Sequence, residues 1–448
     1  MDYQLLGAVF IGIFLLLFLI LRLKLQAFLA LLIVSIVVGI LGGLSPTVIL
    51  DSITNGMGGT LGFVATVVGL GALFGAVLEN SGGAQQLANY LLKRFGEKNA
   101  PWSIMLTGFL VAIPVFFDVA FIILVPLIYA LQRRTGKTLL LYALPLLAGL
   151  TVTHLFIPPT PGPIAVADIL GADLGLVILF GFIVGLPAAI IAGPLFAKRL
   201  SRKLYVPVPF DANEPQEIIE NPPKVGIVLS IIFLPILLIV GNTLFNSPLA
   251  EGWNLPESVL YAVTILGHPF TALIIANLIA WYVLGVQRNT SKEKLLEIST
   301  KAMYPAGVII LLTGAGGAFK QILIDTGAGT MIANSLSSDY FPPVIFGFLI
   351  AAIVRIMQGS STVAMITAAG ISSPILLAND YSDIQTALLV IAIASGASIF
   401  SHVNDSGFWL VKQYLGLTEK QTFRSWSVLT TIIAVTGLVI TTSLWYLF

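Results

Sequence analysis

Ten apolar stretches of membrane-spanning length, in two sets of five, leave this chain few ways to fold. They lie near 4–21, 25–43, 100–131, 138–158 and 174–197, then near 225–246, 267–286, 341–371, 384–401 and 425–447. A helical crossing of the hydrocarbon layer needs about 20 apolar residues. A chain that is 57% hydrophobic and 10% charged has nowhere but lipid to put that surface. The expected fold class is an all-α integral membrane protein of about 10 transmembrane helices, with the lipid bilayer as its partner. A net charge of +1 offers nothing to nucleic acid. With no cysteine, disulfides, thiolate metal sites and cysteine nucleophiles are excluded together. Met1 and Asp2 lack a basic leader region and no A-x-A cleavage site follows, so the first run reads as a retained span.

Between the second and third run of each set lies a longer stretch, 58–92 and 302–336, interrupted near its middle by Gly, Asn, Asp or Ser. Both read as re-entrant helical hairpins, because irregular backbone at membrane depth survives only inside protein or beside a cavity. The polar, Pro-rich strip 204–224 reads as a linker between 1–203 and 225–448. Five crossings and one hairpin per half, with the N-terminus outside, put most Lys and Arg, and the linker, on the cytoplasmic side. Lys93, Arg94 and Lys98 then fall outside, and Lys320 and Arg355 stay within the membrane.

An odd number of crossings inverts the second half relative to the first, and the residues repeat as well. GLGALFGAVLENSGGAQQLANYL (69–91) aligns with GAGGAFKQILIDTGAGTMIANSL (314–336), and LDSITNGM (50–57) with LEISTKAM (296–303). VAFI (119–122) aligns with VAMI (363–366), and Thr153-His154 with Ser401-His402. Two inverted-topology repeats with interrupted helices are the signature of a secondary transporter whose site lies at the midplane.

Within 100–131, Pro114 removes a backbone hydrogen bond beside Asp118. The counterpart in 341–371 carries Gly359, Ser360, Ser361 and Thr362. Unwound backbone at these two breaks predicts free N–H groups and hydroxyls aimed at an anion. A plain Pro kink and a Ser/Thr packing face give the same residues. Charge at mid-bilayer is expensive, so Lys320 and Arg355 each need a partner or a wet cavity. Either can hold a substrate carboxylate. The competing readings are snorkelling for Arg355 and a structural pair with Asp325 or Glu79 for Lys320.

Asn80, Ser81 and Gly82, and Thr326 and Gly327, mark the hairpin turns, as turn residues or as substrate contacts. HLFIPPTPGP (154–163) halts a helix with its prolines, and Gly162 there is expected to allow unusual backbone angles. His154 at its lip, and His402 with Asn404 and Asp405 at the equivalent break, suit proton coupling. His268 and Asp173 read as structural, Asp173 as an N-cap, and Thr290 with Glu293 as a capping box. No H-E-x-x-H or G-x-S-x-G occurs, which disfavours an enzyme.

At LFGAVLENSGGAQQLA (73–88), FFDVAFIILVP (116–126), HLFIPPTPGP, GGAFKQILIDTG (316–327), RIMQGSSTVA (355–364) and SHVNDSGFW (401–409), the chain resembles the gluconate permease family of the ion-transporter superfamily. The resemblance spans nearly the whole length. It implies proton-coupled import of gluconate or a related sugar or hydroxy acid through a bacterial inner membrane, with no cofactor, by a homodimer that moves its substrate in an elevator-like step. Relatives carry other hydroxy acids or D-serine, and sodium is the rival coupling ion. Two positions depart from the family pattern: Asp118 stands where many members have Glu, and Thr160 where many have His. On this reading Arg355, Lys320 and the backbone of Gly359, Ser360, Ser361 and Thr362 bind the carboxylate. Asn80, Ser81, Thr326 and Asn404 contact hydroxyls, and Asp118, His154, His402 and Asp405 carry protons. No metal site is expected.

Overall fold

The computed structural model describes residues 3–209, 222–246, 250, 253, 256–327, 342–377, 381–403 and 405–448. Every regular element among the described residues is helical. Among the described residues, seven helices are long and apolar enough to cross a membrane, and shorter apolar ones accompany them. Several of the shorter ones exist because the chain breaks an apolar run in two.

The run at 100–131 becomes α5 (Ala100–Val111) and α6 (Phe117–Thr135). Pro114 has no N–H to give and disfavours helical geometry at the residue before it, so the chain unwinds between them. The run at 341–371 becomes α14 (Pro343–Gln358) and α15 (Ser361–Leu377). Here Gly359 adopts φ +88°, a left-handed turn that a side chain resists. Helix α7 (Leu140–Phe156) stops at Pro158–Pro159, and α8 (Pro161–Leu170) restarts with proline in its first turn. In the second half α16 (Asp383–Ser398) is followed by α17 (Ser406–Tyr414).

Both hairpin-bearing stretches start earlier than the sequence suggests. Helix α3 spans Pro46–Asn80 without interruption, capped by Ser45, and α4 (Gly83–Phe95) returns after Gly82 at φ +74°. Polar residues at 51–55 do not end α3 because they satisfy themselves: Ser52 Oγ donates to Val48 O at 2.7 Å and to Asp325 Oδ2 at 2.6 Å. Helix α13 runs Lys292–Asp325 and turns at Gly327, φ +73°. Its return arm lies outside the described residues. The N-cap of α13 is Ser291, which accepts from Lys294 N at 3.1 Å, so the cap lies one residue after Thr290 and the capping box expected from Thr290 and Glu293 does not form.

Further placements bear on the sequence reading. Gly162 lies inside α8, where a methyl group would come 3.0 Å from Met365 Sδ, so the residue permits close packing rather than an unusual turn. A helix not foreseen, α11 (Glu257–Gly267), precedes α12 (Pro269–Arg288). His268 joins them as the cap of α12, its Nδ1 accepting from Phe270 N at 3.3 Å. Asp173 caps α9 (Leu174–Leu200) by accepting from Leu176 N at 2.8 Å. Of the strip 204–224, residues 210–221 lie outside the described residues. Its first part is pinned, Val206 N donating to Thr138 Oγ1 at 2.9 Å and Leu139 N to Val206 O at 2.8 Å.

Remaining described helices are α1 (Tyr3–Leu21), α2 (Ala27–Leu41), α10 (Val225–Phe245) and α18 (Glu419–Trp445). The long α3 and α13 pack along one another, α5 crosses α7, and α14 crosses α16. Small residues let these backbones touch, which dispersion favours where lipid is the competing solvent. A methyl on Gly149 of α7 would run into the Met105 carbonyl of α5, and one on Gly396 of α16 into the Phe348 carbonyl of α14. Gly149→Ala is therefore expected to lower stability by about 1–3 kcal/mol through overpacking. Gly58→Ala in α3, where no atom lies within 4 Å of the added methyl, should be neutral or stabilising. Thermal unfolding of the two variants in detergent checks this, and equal midpoints would refute the close-contact argument.

Candidate functional site

Each break leaves a helix N-terminus inside the protein, and three of them meet at one cavity. The first N–H groups of a helix have no partner within it and carry partial positive charge. Helix α6 begins after Phe116, which supplies no side-chain cap. Helix α15 begins after Ser360, whose Oγ accepts from Val363 N at 3.3 Å. Helix α17 begins after Asp405, whose Oδ1 accepts from Gly407 N at 3.0 Å. Phe116 to Val119, Gly359 to Thr362 and Asp405 to Gly407 all line a cavity of about 580 Å³. That falls in the usual range for small-molecule sites, about 300–1,000 Å³. Thr151, His154 and Leu155 of α7, Ser398 of α16, and Trp426 and Thr430 of α18 complete the wall, with Pro305 and Ile309 of α13.

Arg355, in the last turn of α14, is 5% exposed and reaches this cavity. Its Nη2 donates to Asp405 Oδ2 at 2.5 Å. Its Nε and Nη1 are buried with no hydrogen-bond partner among the described residues. Leaving such donors unmatched costs about 1–3 kcal/mol or more for a charged group, which a ligand acceptor would recover. Both oxygens of Asp405 are engaged: besides Arg355 and Gly407 it accepts from the Ser401 hydroxyl. Ser401 Oγ in turn accepts from Trp426 Nε1 at 2.6 Å, and Ser401 N donates to Thr430 Oγ1 at 3.1 Å. The Ser427 hydroxyl donates to the Ser401 carbonyl. The pair thus ties the end of α14 to the start of α17 and both to α18.

Of the residues singled out in the sequence, Arg355, Gly359, Ser360, Ser361, Thr362, Asp118, His154 and Asp405 line this one cavity. Asp118, in the first turn of α6, is open to it, and His154 presents a buried Nδ1 without a partner. Asn80 lines a neighbouring cavity of about 290 Å³ with Glu79, Lys294 and Lys301, and the two cavities share Phe116, Val119 and Pro305. Asn404 lies outside the described residues.

The remaining four sit elsewhere. Lys320 Nζ donates to Ile169 O at 2.5 Å and interacts with the charge of Asp168, so it caps the end of α8 and pairs with neither Asp325 nor Glu79. Ser81 Oγ donates to Leu78 O at 2.7 Å and Thr326 Oγ1 to Ile322 O at 2.8 Å, each closing its own turn. His402 Nε2 donates to Ile356 O at 2.7 Å, a carbonyl in the last turn of α14, and does not meet His154. Sequence reasoning missed Thr151, Gln358, Ser398, Ser406, Trp426 and Thr430 as wall residues. Gln358 and Ser406 stood within strings already noted; the others look like ordinary packing residues until the breaks are folded together.

Removing the charge of Asp405 leaves an uncompensated buried guanidinium. Asp405→Asn is expected to destabilise by about 3–5 kcal/mol, whereas Trp426→Phe, which deletes one hydrogen bond, should lose about 1 kcal/mol. Unfolding midpoints of the purified variants rank the two, and the reverse order would show that the ion pair does not hold the site together.

Residues 4–448 match the GntP family permease description. A gluconate permease of Pseudomonas aeruginosa is 39% identical over 402 residues, covering 89% of this chain and 88% of that one. The low-affinity gluconate transporter of Escherichia coli K12 is 40% identical over 392 residues, with 88% and 87% covered. The Gnt-II system L-idonate transporter of the same strain is 37% identical over 396 residues, with 88% and 89% covered. Among solved structures, MtrF of Neisseria gonorrhoeae superposes with a TM-score of 0.66 at 14% identity, covering 92% and 93%, and shares the fold. With a match from the first span to the last residue and relatives near 40% identity along most of their length, this chain belongs to the GntP family of membrane permeases.

Proposed function

We propose that the chain imports gluconate or a related sugar acid by proton symport with alternating access. The observation that carries this is the meeting of three helix N-termini with the unpaired donors of Arg355 in one cavity. Such a site favours a monoanion. Ser360, Ser361, Thr362, Ser398 and Thr430 around it supply partners for a polyhydroxylated chain. Relatives named for gluconate and L-idonate support that substrate class. Lys320, engaged at the end of α8, has no part in binding on this reading.

Asp118 is the proposed proton carrier, with His154 in the same wall, because both line the cavity, Asp118 is exposed to it and His154 Nδ1 is buried there without a partner among the described residues. Asp405 instead serves to hold Arg355. The two halves are proposed to be inverted repeats, which the paired breaks at 112–116 and 359–360 support. The N-terminus outside, the strip 204–224 in the cytoplasm and a homodimeric assembly belong to the same proposal.

One proton per monoanion makes transport electroneutral. In proteoliposomes an inward proton gradient should then drive gluconate accumulation, and a membrane potential at equal pH should not. Asp118→Asn is expected to abolish gradient-driven accumulation by more than tenfold while keeping gluconate counterflow. Accumulation driven by a sodium gradient at fixed pH would overturn proton coupling. Selective uptake of D-serine or another amino acid over sugar acids would overturn the substrate class.

A further inference from the structure

Gln358 is the last residue of α14, and its Oε1 accepts from the backbone N–H of Ser360 at 3.0 Å. That N–H stands at the start of α15, a helix of 17 residues, and both residues line the large cavity. The turn that brings them together depends on Gly359 at φ +88°. The α15 terminus is not alone: Arg355, one turn before Gln358 and 5% exposed, lines the same cavity with Nε and Nη1 lacking any acceptor.

We infer that Gln358 is an internal stand-in for the substrate carboxylate, occupying an anion-binding N–H until the substrate displaces it. The inference rests on the proposed reading of this cavity as the sugar-acid site. The chemistry of the side chain suits the part. A neutral amide oxygen is an acceptor of the same trigonal geometry as one carboxylate oxygen. Hydrogen bonds to an ionised acceptor are roughly twice as strong as neutral ones, so an arriving carboxylate displaces the amide. An empty site meanwhile keeps the first N–H of the terminus satisfied instead of orphaned. Competition of this kind lowers apparent affinity by the fraction of molecules in which the N–H is free. Gln358 is thus a positioning residue that sets affinity and selectivity for a carboxylate over a neutral polyol.

The experiment measures gluconate uptake by the full chain in proteoliposomes, with monodisperse elution and unfolding midpoints as the check on folding. Gln358→Met keeps the length of the side chain but has no strong acceptor, and Gln358→Ala removes it. Both are expected to lower KM for gluconate by about two- to tenfold, the range that follows from one net hydrogen bond, with maximal velocity unchanged or reduced. Gln358→Glu puts a permanent anion at the same N–H beside Arg355 and should raise KM more than tenfold. Methionine and alanine variants with unchanged or higher KM would overturn the stand-in role, since Gln358 would then contribute nothing or contact the substrate directly. A wild-type chain that carries no sugar acid, yet carries another solute, would overturn the reading of the cavity and the inference with it. Because wild-type uptake is measured beside the variants, the two failures are distinguishable.

Discussion

The guanidinium of Arg355 and the carboxylate of Asp405 meet at 2.5 Å with both side chains almost withdrawn from solvent. Desolvating such a pair costs several kcal/mol per ion, which Coulomb attraction repays only when the leftover lone pairs and protons are also matched. On the acidic side they are: Asp405 serves Arg355, the Ser401 hydroxyl and the Gly407 amide at once. On the basic side they are not, because Nε and Nη1 have no acceptor. The pair fixes two chain breaks relative to one another and ties both to α18. Gly359 follows Arg355 by one turn, Ser406 follows Asp405 directly, and Ser401 carries the network on to Trp426 and Thr430. Around that anchor the α6 terminus completes the cavity from the first half of the chain.

The same anchor explains which parts of the site were legible in the sequence. Breaks announce themselves through residue chemistry: Pro114, the prolines of HLFIPPTPGP and Gly359 each forbid or strain a continuing helix, so the discontinuities lie where composition puts them. An arginine inside an apolar run is likewise conspicuous. What the pattern does not contain is which break faces which. His402 repeats the place of His154 along the chain, yet the exposed carbonyl of Ile356 at the end of α14 takes its Nε2–H. Lys320 looked equivalent to Arg355 as an intramembrane cation, but the end of α8 offers it the Ile169 carbonyl and the charge of Asp168. Helix termini are unsatisfied wherever they occur, and they capture the nearest donor or acceptor regardless of repeat position.

Length was misread for a related reason. Polar residues such as Ser52 and Thr54 suggest an end to an apolar span, yet each hydroxyl donates to the carbonyl four residues back, leaving α3 intact through Asn80. Ser52 also reaches Asp325 near the turn of α13, so the polarity serves contact between the two long helices rather than termination. Wall residues such as Thr430 and Ser398 were invisible for the complementary reason. A hydroxyl on a transmembrane helix is satisfied locally in almost every setting, and only the converging breaks give these a second face.

The charge balance of the cavity bears on how coupling works in the proposed mechanism. Arg355 and Asp405 cancel, so the attraction for an anion comes from the three helix termini and the unmatched guanidinium donors. Asp118, in the first turn of α6, opposes that attraction whenever it is ionised. Protonating it removes a like charge from beside the bound anion, so proton and anion each favour the other. By linkage the gain is reciprocal, the anion raising the affinity for the proton by the same factor that the proton raises affinity for the anion. Coupling therefore needs no direct contact between the two. It requires only that they share one cavity whose helix termini favour an anion, and that the fixed ion pair stay neutral throughout the cycle. An Asp405 that exchanged its proton would release Arg355 and change the field it is there to hold steady, which is why the proton is better carried by Asp118 than by the acid that grips the guanidinium.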